Sequence, residues 1–177
     1  HYAVLPDPDG KRVGSGGACA YVAAAGMALG AMVANLTTGK KKYAQYQEEI
    51  EELLSKTEQL SKELMTYMDK DAESFEPLSK AYGLPKDTKE QQEYKDAVME
   101  KALKEASLTP VALMEKILEA LKILERLSVV GSRLAISDVG AGVQLCKAAL
   151  NGASLNVFIN TKLMKDTETA EELNTRT

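Results

Sequence analysis

Two aspartates and a glutamate, Asp69, Asp71 and Glu73, crowd into the run MDKDAESFEPL at positions 68–78. A carboxylate held against an apolar interior has a raised pKa unless a cation or several donors keep it charged, and it can then act as a general acid or base near neutral pH. Leu64, Met68 and Phe75 recur at steps that mark one face of a helix. Asp71 falls on that face and Asp69 on its flank, about 200° away around the axis, so the two do not form a side-by-side dyad. A salt bridge from Asp71 to a basic side chain of a neighbouring helix would explain the same pattern. The single histidine is His1. Acid–base chemistry elsewhere must therefore use carboxylates, lysines, tyrosines or cysteines, and a Ser–His–Asp or Cys–His relay is excluded unless His1 supplies it.

Other polar groups stand out by their setting. The stretch Val13-Gly14-Ser15-Gly16-Gly17 precedes an apolar helix, and exposed backbone N–H groups at such a junction can hold an anion or simply lead into the helix. It lacks the lysine of a P-loop and follows no strand. Gly39-Lys40-Lys41-Lys42 is either a solvated helix start or a contact for an acidic group. Asn156 and Asn160 lie one helical turn apart in the apolar run LNVFIN, where amides must find hydrogen bonds from a ligand or from another helix. Asp138 sits in a helix rich in small residues, with Arg133 shortly before it.

These groups need elements to place them. The 177 residues suffice for one domain with a sizeable core, and 45% hydrophobic with 27% charged residues is ordinary for a soluble protein. A net charge of −4 gives no basic field for nucleic acid. Cys19 and Cys146 form no metal-binding or disulfide spacing, and a cytoplasmic address is the simplest reading. Residues 1–17 read as an irregular, glycine-rich lead-in, and 18–177 as a single helical domain. Residues 18–36 carry no charge, a length that could span a membrane. Their Ala and Gly content points instead to a central buried helix, with Gly26 and Gly30 admitting a close neighbour. A helix follows over about 40–82, then others over 87–106, from Thr109-Pro110 to about 130, over 133–150 up to Asn151-Gly152, and over 153–164. No strand or hairpin signal appears, so the class is all-α. A forty-residue helix of roughly 60 Å exceeds what a compact chain of this size can bury, which predicts an elongated bundle that dimerises through its long helices.

Four stretches carry a resemblance: MVANLTTGKKKY (32–43), MDKDAESFEPLSKAYGLPKDT (68–88), GSRLAISDVGAG (131–142) and GASLNVFINTKLMKD (152–166). In order and spacing they resemble the cyclodeaminase/cyclohydrolase family, which handles one-carbon units on tetrahydrofolate. The resemblance implies a helical bundle that dimerises, with no metal or permanently bound cofactor and a tetrahydrofolate derivative as substrate. It implies either cyclodeamination of 5-formiminotetrahydrofolate or hydrolysis of 5,10-methenyltetrahydrofolate to 10-formyltetrahydrofolate. It places proton transfer on Asp69, with Asp71 as a second acid. Gly14, Gly16 and Gly17 would lie against the substrate, Lys40, Lys41 and Arg133 would be candidates for its glutamate tail, and Asp138 and Asn156 for positioning the pterin or another polar part. The family's glycine loop reads Pro-Gly-Gly-Gly, whereas here Val13 and Ser15 replace Pro and one Gly. A non-catalytic folate-binding or purely structural helical dimer is the competing expectation.

Overall fold

The structure, a computed structural model, describes residues 14–177. It contains α1 (Ser15–Thr37), a 3₁₀ turn (Lys41–Tyr46), α2 (Gln47–Tyr82), α3 (Lys89–Val130), a second 3₁₀ turn (Arg133–Ala135), α4 (Ile136–Thr161) and α5 (Thr167–Thr175). No strand occurs among the described residues. Most of the expected lead-in, Val13 included, lies outside the described residues. Its last three residues, Ser15, Gly16 and Gly17, already belong to α1.

Two expected breaks are absent. α3 runs through Pro110 and α4 through Asn151-Gly152. An interior proline removes one helical hydrogen bond and costs about 3 kcal/mol, and an interior glycine about 1 kcal/mol. Around Pro110 the buried residues Leu103, Ala106, Ser107, Val111 and Met114 form one uninterrupted stripe, and burying several such side chains at roughly 1.5–3 kcal/mol each outweighs the lost bond. Ala149, Ala153 and Val157 do the same across Gly152. The start of α3 also differs in detail. The capping pair is Thr88 and Gln91: the Gln91 N–H donates to Thr88 Oγ1 (3.2 Å), and Gln91 Oε1 accepts from Thr88 N (3.2 Å) and Asp87 N (2.9 Å). Helix α5 escaped the sequence reading, although Asp166 caps it by accepting from Thr169 N.

Contacts divide the chain into two compact units. The first holds residues 14–18, Tyr67–Met114 and Gly152–Thr177. Leu78, Leu103, Val111 and Leu113 are fully buried there. Glu100 accepts from the backbone N–H groups of Lys165 and Asp166, which fixes the chain just before α5.

The second unit holds Cys19–Thr66 and Glu115–Asn151. Here α1 and α4 approach to backbone contact: a Cβ built on Gly26 would lie 2.9 Å from the Gly142 carbonyl oxygen, and one on Gly142 would lie 3.0 Å from that of Gly26. At Gly30 the neighbours are Leu124 of α3 and Thr57 of α2. The glycine spacing thus serves packing inside the chain. Helix α1 is not buried all round, however. Half of its apolar window is buried, and length and composition alone would let it cross a membrane. Tyr21, Met32 and Leu36 remain exposed on one side. At the end of this unit the buried Thr37 hydroxyl donates to the Val33 carbonyl and accepts from Ser132 N. Tyr43 Oη accepts from the Arg133 N–H (3.0 Å), which brings the Lys40–Lys42 stretch to Arg133.

Candidate active site

The residues singled out at 69 and 71 meet the glycine stretch inside the first unit. Gly14, Ser15, Asp69, Asp71, Phe75 and Asn160 are among the residues lining a cavity of about 630 Å³, together with Asn156, Glu73, Glu76 and Ile159. The two aspartates share this cavity although they point about 200° apart around α2. This happens because the cavity wraps around the helix rather than lying along one side of it.

Asp71 is the more shielded of the pair. It is half-buried, whereas Asp69 is exposed at the rim. The shelter that a proton-transfer carboxyl needs is thus found at Asp71, on the inward stripe, and not at Asp69. Desolvation pushes the Asp71 pKa above the ordinary carboxylate range, and the Gly17 N–H, donating to Oδ2 at 3.0 Å, only partly offsets this. No salt bridge to Asp71 is found among the described residues, and its partner there is the Gly17 N–H.

The glycines are required by approach. A Cβ on Gly16 would overlap the Asp71 carboxyl, with Cγ only 2.6 Å away, and one on Gly14 would lie 2.9 Å from Oδ2. No positive φ is involved at either residue. Gly17 supplies the N–H just described. Ser15, which replaces a glycine of the expected loop, has a job of its own: its hydroxyl donates to Asn156 Oδ1 at 2.5 Å.

Among the described residues the ionisable lining of the cavity is all acidic. Asp69, Asp71, Glu73 and Glu76 line it, and no lysine, arginine or histidine does among the described residues. Glu76 pairs with Lys80 at 2.7 Å. Such a lining attracts a cationic group and repels an anionic one. Phe75 and Ile159 supply its apolar part. Phe75 was expected on the buried stripe of α2, yet it is 40% exposed and turned to the cavity. The buried stripe is completed instead by Leu64, Tyr67, Leu78 and Ala81.

Lys40, Lys41, Arg133 and Asp138 do not line this cavity and belong to the second unit. Of these, Arg133 and Lys40 act on Tyr43, whose phenol is held below its ordinary pKa chiefly by the Arg133 backbone N–H, with Ser132, Lys42 and Lys40 adding to the effect. Asp138 lies in the first turn of α4, where a carboxylate is favoured by the helix dipole. Phe75 was missed as a lining residue, and Asn160, singled out together with Asn156, was given no part in the site. Asn160 had a signal in its spacing from Asn156, whereas nothing local distinguished Phe75 from a core residue. No group of three His, Cys, Asp or Glu side chains is placed to hold a metal ion among the described residues.

Known proteins resemble this chain in sequence and fold. A family profile described as Formiminotransferase-cyclodeaminase matches residues 9–177. The methenyltetrahydrofolate cyclohydrolase of Methylorubrum extorquens is 39% identical over 159 residues, which is 90% of this chain and 76% of that protein. The formimidoyltransferase-cyclodeaminase of Sus scrofa is 31% identical over 153 residues, 86% of this chain but only 28% of that longer protein. The crystal structure of formiminotetrahydrofolate cyclodeaminase from Thermotoga maritima superposes with a TM-score of 0.80 at 28% identity, covering 97% of this chain and 80% of that one.

Proposed function

The chain belongs to the formiminotransferase-cyclodeaminase family, and from that premise we propose that the cavity of its first unit transforms one-carbon units on tetrahydrofolate. The substrate is 5,10-methenyltetrahydrofolate, opened by water to 10-formyltetrahydrofolate, or 5-formiminotetrahydrofolate, closed with loss of ammonia. The observation that carries this reading is the half-buried Asp71 carboxyl, held by Gly17 in a cavity lined by four carboxylates. Both substrates carry the one-carbon unit as a cationic amidinium or its protonated imine, which an anionic lining favours.

In the hydrolytic direction, water adds to the methenyl carbon as Asp71 removes its proton. The tetrahedral carbon then breaks its bond to N5, the proton held by Asp71 passes to that nitrogen, and the hydroxyl proton is released to water as the N10 formyl carbonyl forms. In the deaminating direction, N10 attacks the formimino carbon, its proton is relayed to the exocyclic nitrogen, and ammonia leaves. Each route needs one group that accepts and returns a proton. A carboxyl with a raised pKa serves this better than an exposed one, because it is nearer to the proton affinity of its partners. We therefore give proton transfer to Asp71 and a supporting, charge-stabilising part to Asp69, the reverse of what the resemblance implies. Lys40, Lys41 and Arg133 remain candidates for an acidic group, and Asp138 for a polar contact, within the second unit.

The test offers both substrates to the purified protein and follows methenyl absorbance in the near ultraviolet and ammonia release. Turnover of at least one is expected, and Asp69→Asn should lower it about tenfold, well short of the effect at Asp71. A larger loss at Asp69 than at Asp71 would return proton transfer to Asp69, and inertness toward both substrates would end the folate reading.

We further propose that two copies associate through the exposed side of α1, where Tyr21, Met32 and Leu36 recur on one helical face and Leu134, just before α4, is 92% exposed. An apolar face of this kind is what a soluble chain covers with a partner. Light scattering should give the mass of two chains, and a single-chain mass would refute this. A cytoplasmic setting without nucleic-acid partners fits the net charge of −4 and the absence of a disulfide among the described residues.

A further inference from the structure

Asn156 and Asn160 are chemically identical and one turn apart on α4, yet the fold treats them differently. Asn156 is committed at both ends: its Oδ1 accepts from Ser15 Oγ at 2.5 Å, and its Nδ2 donates to the Gly152 carbonyl at 3.2 Å. The Asn160 side chain makes no hydrogen bond among the described residues, although the residue is only 8% exposed. The surface it retains opens on the cavity that it lines. No buried side-chain nitrogen or oxygen lacks a partner among the described residues, so the Asn160 carboxamide presents its polar atoms to the open cavity rather than to the protein. A group kept in that state is one whose partners arrive with a ligand.

The chemistry of the wall narrows what the ligand presents. The carboxylates of α2 can only accept when ionised, whereas a carboxamide offers one acceptor and two donors side by side. Its complement is a group with a donor next to an acceptor, such as a cyclic amide. Asn156, with its oxygen and amide already engaged, fixes the start of α1 beside the wall. Phe75 of α2 and Ile159 supply apolar surface to the same cavity for a flat ring.

Resting on the folate reading above, we propose that Asn160 is a substrate-positioning residue. Its carboxamide pairs with the lactam edge of the pteridine: the side-chain oxygen accepts from N3–H, and the side-chain amide donates to the C4 carbonyl. The carboxylates are thereby left to the one-carbon unit. Specificity for an oxidised-at-C4 pteridine follows from this wall rather than from the acidic one. The contact is made alike in ground and transition states, so its loss appears in KM more than in kcat.

Asn160→Asp preserves shape and the acceptor but removes the donor and sets a charge against the C4 carbonyl, and Asn160→Ala removes both contacts. Each should raise KM by about 10- to 100-fold while leaving kcat within a few-fold. The melting temperature of Asn160→Ala should not fall, because no protein hydrogen bond is broken. Asn156→Ala serves as the structural control and should lose thermal stability through its bonds to Ser15 and Gly152. An unchanged KM in both Asn160 variants overturns the assignment, as does a fall in kcat at constant KM or a marked loss of thermal stability in Asn160→Ala. If the wild-type chain neither binds tetrahydrofolate in a titration nor turns over either substrate, the folate reading itself fails and this inference falls with it. Normal wild-type turnover with insensitive Asn160 variants removes this inference alone.

Discussion

Asp71→Asn should remove about 10²–10⁴-fold of the turnover and yet melt at a higher temperature than the wild type at neutral pH. The loss of rate follows because asparagine cannot take up and return a proton. The gain in stability follows from the cause of the raised pKa, which is burial of the charge. Between the ordinary value of 3.8 and the raised one, the folded chain holds a proton that the unfolded chain has already released. Stability conferred by this residue therefore falls as pH rises through that window. Above it both states are ionised, and the fold carries the whole cost of the half-buried carboxylate. Below 3.8 both are protonated and the cost disappears. Asparagine retains an oxygen for the Gly17 N–H and never ionises, so its advantage should be full at neutral pH and vanish in acid. Thermal melts of both proteins from pH 3 to 8 would read this directly. A variant that is less stable at pH 7, or equally active, would show that the Asp71 carboxyl is a structural group. Stability given up at a reacting group is a common feature of active sites.

Gly16→Ala should abolish activity to a similar degree while leaving the melting temperature nearly unchanged. The new methyl group would occupy the space of the Asp71 carboxyl. That carboxyl ends a rotatable side chain, so it swings away, the Gly17 N–H loses its acceptor, and the cavity loses its shielded acid. Alanine in a helix also gains about 1 kcal/mol over glycine, which compensates the lost bond. Gly26→Ala tests the opposite situation. Its methyl group would meet Cys146 Sγ at 2.8 Å and the Gly142 carbonyl at 2.9 Å. The carbonyl belongs to the backbone of α4 and cannot rotate aside, so α1 and α4 must separate, costing about 1–3 kcal/mol. The pair thus separates a glycine needed by the chemistry from one needed by the packing. An active Gly16→Ala enzyme would mean that the Asp71 carboxyl can leave its place without consequence.

Much of this was readable before any coordinates. The 3.6-residue recurrence of apolar positions gave the all-α class. It also set Asp71 on the inward stripe, because a helix's side-chain directions follow from its backbone alone. The small residues of α1 announced a close helix contact, now seen at Gly26 and Gly142. Where the reading failed, it trusted local punctuation. Thr109-Pro110 and Asn151-Gly152 have the chemistry of helix ends, but each sits in a stripe whose burial is worth more than one lost bond or one flexible residue. Phe75 fitted the apolar period and still turned to the cavity, since period alone does not say which side of a half-exposed helix another element will cover.

The sequence by itself determined which residues could do chemistry: several carboxylates, no internal histidine, a glycine run and a pair of amides on α4. Tertiary structure alone decided what each does. Asp71 becomes the sheltered acid because glycines from 54 residues away close over it. Asn156 becomes a tie and Asn160 remains uncommitted because Ser15, 141 residues away in sequence, reaches one amide and not the other. A side chain's desolvation and hydrogen bonding depend on groups brought near by folding, and no local pattern encodes those distances.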